Sequence, residues 1–288
     1  MALPFRYAIC NEIFAQTPFA EACRQIRACG YEGIEIAPFT LSGDPAAIPA
    51  GRRAEIRSAI AGEGLCFAGL HWLLVKPEGL HLTTPDARTR QKSWEYLDRL
   101  IDLAGDLSVC EQEYGAVMVL GSPKQRSTVE GMSAREAADV LIHELGHLAP
   151  HAESRGIRIV LEALSPEQTD VVTSVGEAVE IVKQIGSPAI QTMFDTHNAV
   201  LEREPHPDLI RRYSQHIHHV HVNEMDGREP GAGDYDFGSI LEALAQVKYS
   251  GWVSPEVFDF SRDPYQVASQ ALQHLKSVEP EAVLHQTV

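Results

Sequence analysis

One alternation constrains the fold of this 288-residue chain more than any other feature: a short apolar run, a loop and a longer amphipathic stretch follow one another eight times. The apolar runs predict strands at 6–11, 33–38, 65–71, 115–120, 157–163, 190–195, 217–223 and 252–257. The stretches between them predict helices at 18–29, 49–62, 86–107, 133–154, 174–186, 206–213, 237–247 and 263–277. Strands that alternate with helices form parallel sheets through crossover connections, so eight units predict a single (β/α)₈ barrel domain over 1–288.

The stretch 133–154 illustrates how the helices are predicted. Leu141, Leu145 and Leu148 recur at intervals of three or four residues, which places them on one helix face. Ser133 is a favourable residue to begin the helix, whereas Pro150 predicts a kink or an earlier end. A doubly wound open sheet is disfavoured, because no glycine-rich dinucleotide loop follows the first strand.

Composition excludes several classes of function. The formal net charge is −16, whereas proteins that grip nucleic-acid phosphates or anionic membranes need a surplus of Lys and Arg. No stretch has the roughly 20 apolar residues of a membrane span, and the start lacks the pattern of a signal peptide. The five cysteines are odd in number and show no C-x-x-C spacing, so we expect them to be reduced and the protein to be cytoplasmic.

Four consecutive predicted strands carry a potential metal ligand at the carboxyl end, where function collects in such barrels. These residues are Glu162, Asp195, His221 and Glu256. Unrelated polar strand ends would be the simpler explanation, but carboxylates buried together without a cation are costly. The mixed oxygen and nitrogen set predicts one divalent ion of the Mn²⁺, Mg²⁺, Co²⁺ or Zn²⁺ type.

Several segments of the chain also resemble a known family. GYEGIEIAP, VLEALSPEQTD, MFDTHNA, HVHVNEMDGREPGAGDYDFG and PEVF look like xylose isomerase-like TIM barrels, in particular the sugar isomerases and epimerases related to D-tagatose 3-epimerase and hydroxypyruvate isomerase. The resemblance covers nearly the whole chain and implies that the four ligands above bind one metal, while Glu162 and Glu256 also shuttle protons. It further implies a small sugar or keto-acid substrate, an enediolate intermediate and a possible homo-oligomer, with no nucleic-acid or membrane partner.

Substrate contacts follow from the same resemblance. It implies that Arg228, in the loop after His221, binds substrate oxygens, although a solvated loop arginine is an equal alternative. His197 is a candidate to hydrogen-bond the substrate. The chain departs from the epimerases at Asn198, where they usually carry histidine, and at Gln168, where they often carry glutamate.

Four further residues are candidates to line the substrate pocket. Glu35 comes late in the second strand, and the alternative for it is a barrel-interior carboxylate paired with a base. His71 and Trp72 end the third strand, where the indole can face a sugar ring, although His71 also fits a structural role at the barrel rim. Phe258 lies two residues after Glu256 and points the same way, with core packing as its alternative.

A second motif suggests a different class of enzyme. Residues His143-Glu144-Leu145-Gly146-His147 match the H-E-x-x-H pattern of zinc proteases. We discount this function because the histidines are predicted on the outer face of an amphipathic helix and no third ligand follows nearby. Metal binding at the surface is the more credible role for this pair.

Two related activities remain as alternatives within the same fold. An endonuclease branch would need additional strand-end histidines and a less acidic surface. A dehydratase acting on inososes or dehydroshikimate would begin with the same proton abstraction and then expel hydroxide. Pocket shape, rather than the ligand set, separates that outcome from epimerisation.

Overall fold

The computed structural model describes residues 5–110 and 115–280 of the chain. The strands in these residues are β1 (Arg6–Cys10), β2 (Gly33–Ile36), β3 (Cys66–Leu70), β4 (Ala116–Leu120), β5 (Ile157–Leu161), β6 (Ile190–Asp195), β7 (Ile217–Val222) and β8 (Trp252–Pro255). All neighbouring pairs are parallel, and β8 pairs with β1, which closes the sheet into a barrel. The predicted (β/α)₈ barrel is therefore confirmed, while the boundaries of one domain at 1–288 include ends outside the described residues and stay a prediction.

Helices connect the strands and surround the barrel. In the described part of the chain they are α1 (Phe19–Cys29), α2 (Ala50–Gly62), α3 (Ala87–Leu107), α4 (Pro123–Arg126), α5 (Ala134–Ser154), α6 (Val175–Ile185), α7 (His206–Tyr213), α8 (Phe237–Gln246) and α9 (Pro264–Ser277). Eight of them match the predicted helices, and the short α4 after β4 was not predicted. None of these helices is both long and apolar enough to cross a membrane.

Local sequence explains where α5 begins and why it continues. The Ser133 hydroxyl accepts a hydrogen bond from the backbone N–H of Glu136, and the Glu136 carboxylate accepts one from the backbone N–H of Ser133. Pro150 does not end the helix, which runs on to Ser154. The helix predicted over 133–154 therefore forms, and of the two alternatives at Pro150 the earlier end is wrong.

The two faces of β7 have different chemistry. In β7, Val220 and Val222 belong to the main hydrophobic core between the strands and the outer helices. His219 and His221 alternate with them and point into the barrel, where both contact Glu35 of β2. The core that holds the fold therefore lies outside the barrel wall, and the interior at the carboxyl end of the strands is polar.

The cysteines differ from expectation in one respect. Cys66 at the start of β3 and Cys110 after α3 form a disulfide across a sequence separation of 44 residues. Cys10, Cys23 and Cys29 are free thiols. The expectation that all five are reduced is wrong for this pair, because its members become neighbours only when α3 folds back between β3 and β4.

Candidate metal centre

The four predicted ligands come together at the carboxyl end of the barrel. Glu162 directly follows β5, Asp195 ends β6, His221 lies in β7 and Glu256 directly follows β8. One potential ligand atom from each lies within 4.8 Å of all the others, and all four side chains are buried. Adjacent parallel strands in register produce this convergence, since Asp195 pairs with His221 in the sheet.

The donor atoms of this cluster fit a divalent cation. Asp195 Oδ2 and His221 Nδ1 make no hydrogen bond to the described residues, although they lie 3.6 Å apart. His221 Nδ1 also lies 3.2 Å from Glu256 Oε2. Three carboxylates and one imidazole nitrogen directed at one point form a set that Mn²⁺, Mg²⁺, Co²⁺ or Zn²⁺ can bind.

The electrostatics of the cluster also call for a positive charge. Burial, together with the nearby Asp195 and Glu256 carboxylates, raises the pKa of Glu162 to about 8. Burial alone would lower the pKa of His221, but Glu35 and Glu256 raise it well above its usual range. The crowded carboxylates thus favour a positive charge among them, which a bound cation can supply.

The buried carboxylate of Glu35 accepts a hydrogen bond from His221 and so fixes the orientation of its ring. Glu35 is fully buried, and its two oxygens accept hydrogen bonds from His219 Nε2 at 2.8 Å and His221 Nε2 at 3.0 Å. With Nε2 engaged in this way, the Nδ1 atom of His221 faces the cluster. Of the two alternatives for Glu35, a substrate contact and a barrel-interior carboxylate paired with a base, its hydrogen bonds to two histidines fit the second.

His71 and Trp72, which follow β3, each hydrogen-bond a carboxylate. His71 is fully buried and donates through Nε2 to Glu12 Oε2 at 2.7 Å. Trp72 donates its indole N–H to Glu256 Oε1 at 2.6 Å. Sequence reasoning did not identify Glu12, although its position just after β1 was the signal that could have found it.

Asn198 links the two carboxylates on the other side of the cluster. Its side-chain amide donates to Glu162 Oε1 at 2.9 Å, and its backbone N–H donates to Asp195 Oδ1 at 2.7 Å. Its own amide oxygen accepts from Gln168 Nε2 at 2.6 Å. Gln168 and Asn198 therefore interact with each other, and Asn198 also interacts with two predicted ligands.

The surroundings of Glu162 include two residues that the sequence analysis missed. A Cβ atom at Gly121 would overlap Glu162 Oε2, so only glycine leaves room for the carboxylate there. Arg126 is fully buried and donates to the backbone carbonyl oxygens of Leu120 and Glu162, at 3.0 and 2.7 Å. A glycine directly after β4 was the only sequence signal for this arrangement.

The other predicted substrate contacts surround the rim. Phe258 stacks on Trp72, with ring centroids 6.0 Å apart, and contacts the His197 ring at 5.3 Å. His197 also hydrogen-bonds the backbone carbonyl oxygen of Met225 through Nδ1. Arg228 follows Gly227, whose carbonyl oxygen accepts from the backbone N–H of Phe258, and its Nε donates to Asp226 Oδ2 at 2.7 Å.

The H-E-x-x-H segment lies on α5, outside the barrel. His143 and His147 are exposed, and their Nε2 atoms are 3.1 Å apart. Neither residue belongs to any of the groups of three or more potential ligands found among the described residues. This location argues against the protease function.

Comparisons with known proteins agree on the fold. The sequence profile of the family described as xylose isomerase-like TIM barrel matches residues 23–278. The chain also resembles the solved structure of L-ribulose 3-epimerase, with a TM-score of 0.81 and 21% identity over 99% of both chains. The apo form of 3-keto-D-glucoside 4-epimerase from E. coli gives a TM-score of 0.80 at 18% identity, covering 95% of this chain and 100% of that one.

Curated relatives at the sequence level are ketose epimerases. The chain is 22% identical to fructoselysine 3-epimerase of Shigella flexneri over 277 residues, which is 92% of this chain and 94% of the relative. It is 25% identical over 189 residues to a probable ketose 3-epimerase of Synechocystis sp. (strain ATCC 27184 / PCC 6803 / Kazusa). That match covers 64% of this chain and 62% of the relative, so the chain spans less than two thirds of that protein.

Proposed function

The chain belongs to the xylose isomerase-like TIM barrel family, and from that premise we propose that it is a metal-dependent isomerase or epimerase of a small sugar or keto-acid. The convergence of Glu162, Asp195, His221 and Glu256 within 4.8 Å is the observation that carries the proposal. The epimerase activity of the curated relatives supports the reaction class.

The two glutamates are the proposed acid–base pair. Glu162 and Glu256 follow β5 and β8, and so enter the site from strands separated by β6 and β7. One carboxylate removes the proton from the carbon beside the substrate carbonyl, and the other returns a proton to the opposite face of the same carbon. When bound, a divalent ion supplies Lewis-acid polarisation of the carbonyl and favourable electrostatics for the enediolate charge.

Hydrogen bonds from neighbouring residues determine which carboxylate oxygens of Glu162 and Glu256 are free to act on the substrate. Asn198 occupies Glu162 Oε1 and Trp72 occupies Glu256 Oε1, which leaves Oε2 of each glutamate without these donors. The rings of Phe258 and Trp72 form an apolar wall at the rim against which a sugar face can pack. We also propose that His197, beside Phe258, contacts the substrate.

The experiment that tests this function follows proton exchange. The Mn²⁺-loaded protein is incubated in D₂O with a panel of ketoses, keto-acids and inososes, and the carbon that acquires deuterium is identified by NMR. Deuterium at C3 of a ketose identifies a 3-epimerase, deuterium at C1 an aldose–ketose isomerase, and loss of water a dehydratase.

Matched variants connect the exchange to the site. We expect Glu162→Gln and Glu256→Gln to fold and to lose nearly all exchange, whereas Glu177→Gln, on an exposed helix start, keeps it. Exchange at the wild-type rate in Glu256→Gln, or after complete removal of metal by a chelator, would exclude the proposed mechanism.

A further inference from the structure

Trp72 has a backbone conformation that a bulky residue rarely adopts. Its φ angle is +51°, in the left-handed region, directly after β3. Residues with large side chains persist there only where the surroundings impose it, and such positions cluster at functional sites. This conformation therefore indicates that the Trp72 side chain has a role besides packing.

Aromatic neighbours fix the plane of the Trp72 indole. Phe39 stacks on it at a centroid distance of 5.8 Å and an interplanar angle of 28°. Phe258 stacks on it at 6.0 Å and 19°, and Phe260 meets it edge-on at 6.4 Å. Held in this way, the indole has one polar atom, Nε1, in a fixed direction.

That atom donates to Glu256. Trp72 Nε1 lies 2.6 Å from Glu256 Oε1, while the other oxygen of the same carboxylate lies 3.2 Å from His221 Nδ1. The two oxygens thus have separate roles, one held by the indole and one directed at the ligand cluster. A carboxylate without such a donor can rotate and exchange its oxygens.

The other two tryptophans behave differently. Trp94 Nε1 donates to the backbone carbonyl oxygen of Leu82 at 2.9 Å. Trp252 Nε1 has no hydrogen-bond partner among the described residues. A carboxylate partner is therefore specific to Trp72 and is not a general feature of indoles in this barrel.

We propose that Trp72 is a positioning residue for Glu256, holding Oε1 so that Oε2 faces the metal ligands and the reacting carbon. The effect on turnover rests on the proposed epimerase or isomerase function, whereas the hydrogen bond itself does not. An error of about 1 Å in a reacting group costs on the order of 100-fold in rate, so a fixed donor on an acid–base carboxylate matters for turnover.

The test replaces the donor and keeps the ring. Trp72→Phe removes Nε1–H but retains an aromatic side chain between Phe39 and Phe258. Trp94→Phe is the matched control, because it also removes one indole hydrogen bond from a buried tryptophan. We expect kcat to fall about 10- to 100-fold in Trp72→Phe, with KM within about twofold of wild type, and to stay near wild type in Trp94→Phe.

A second readout requires no substrate. The ¹⁵N–¹H spectrum of the Mg²⁺-loaded protein contains one indole cross-peak for each of the three tryptophans. The peaks lost in Trp94→Phe and Trp252→Phe assign those two residues, and the remaining peak belongs to Trp72. In Glu256→Gln we expect this peak to move upfield, and to move farther than those of Trp94 and Trp252. The shift supports the positioning contact even if every substrate in the panel fails, and it decides the question if Trp72→Phe does not fold.

Three results would overturn the proposal. An unmoved Trp72 peak in Glu256→Gln would mean that the hydrogen bond is absent in solution. Wild-type kcat in Trp72→Phe would mean that the bond does not matter for turnover. A loss confined to KM would make the indole a substrate surface only.

Discussion

Replacing Glu35 with Gln should weaken metal binding although Glu35 is not a predicted ligand. The carboxylate accepts one hydrogen bond from His219 and one from His221, at 2.8 and 3.0 Å. An amide of the same shape has only one oxygen, so its NH₂ group must face one of the two imidazole Nε2 atoms. The variant therefore loses the carboxylate charge at both hydrogen bonds and the oxygen acceptor at one of them.

The size of the effect follows from that lost bond. A hydrogen bond to a charged group contributes about 1.5–3 kcal/mol. With about 1.4 kcal/mol for each factor of ten, the loss corresponds to a metal dissociation constant that is larger by roughly 10- to 150-fold. Removal of outer partners of metal-bound histidines in general costs about 10- to 100-fold, which is the same range.

Chelator competition with Mn²⁺ or Zn²⁺ measures this affinity without any substrate. Glu229→Gln is the control, since Glu229 is equally buried and is paired with Arg262 away from the cluster. Thermal unfolding of both metal-free variants separates loss of stability from loss of metal binding. An affinity in Glu35→Gln within twofold of wild type, or an equal loss in Glu229→Gln, would refute the role assigned to Glu35.

Three further outcomes are expected. Joint replacement of His143 and His147 by Ala should leave turnover unchanged, because both lie exposed on α5 outside the barrel; abolished turnover with an intact fold would reinstate the protease motif. Burial lowers the pKa of His151, but two aspartates of α3 raise it overall, so this contact stabilises the fold below about pH 6.5 and is lost as the pH rises through the raised value. The cost of His151→Gln, measured by urea unfolding, should thus be larger at about pH 6 than at about pH 9, and equal costs would contradict the contact. Cys66→Ser should lower the free energy of unfolding by about 4 kcal/mol under oxidising conditions, given the separation of 44 residues. Under reducing conditions the variant and the wild type should unfold with the same free energy, and a loss of equal size under both conditions would contradict the disulfide.

The sequence predicted the barrel and the location of the ligands because both are repeated local signals. Each strand is a short apolar run, and each ligand lies at or just after the end of such a run. Glu162 and Asp195 could therefore be assigned to one end of the sheet from the local pattern alone. The rest of the site depends on pairings between strands far apart in sequence, which a local pattern does not contain.

Glu35 and Trp72 show that limit most clearly. Their partners, His221 and Glu256, are 186 and 184 residues away in sequence. Both were candidates to line the substrate pocket, and each also hydrogen-bonds a predicted ligand, a contact that the sequence analysis did not predict. The closure of β8 onto β1 brings strands from the two halves of the sequence around one interior, where these contacts form.

The separation of the two strand faces has a consequence for how such a chain can change. In β7, the valines that hold the fold and the histidines of the site occupy alternate positions. Inserting or deleting one residue within this strand would exchange the two sets and send the site outward and the core inward. Substitution of inward-facing residues leaves the packing of the outer layer in place. Point substitutions on the inward face can accordingly give the barrel a new reaction, whereas a shift of register in the strand would destroy both the reaction and the fold.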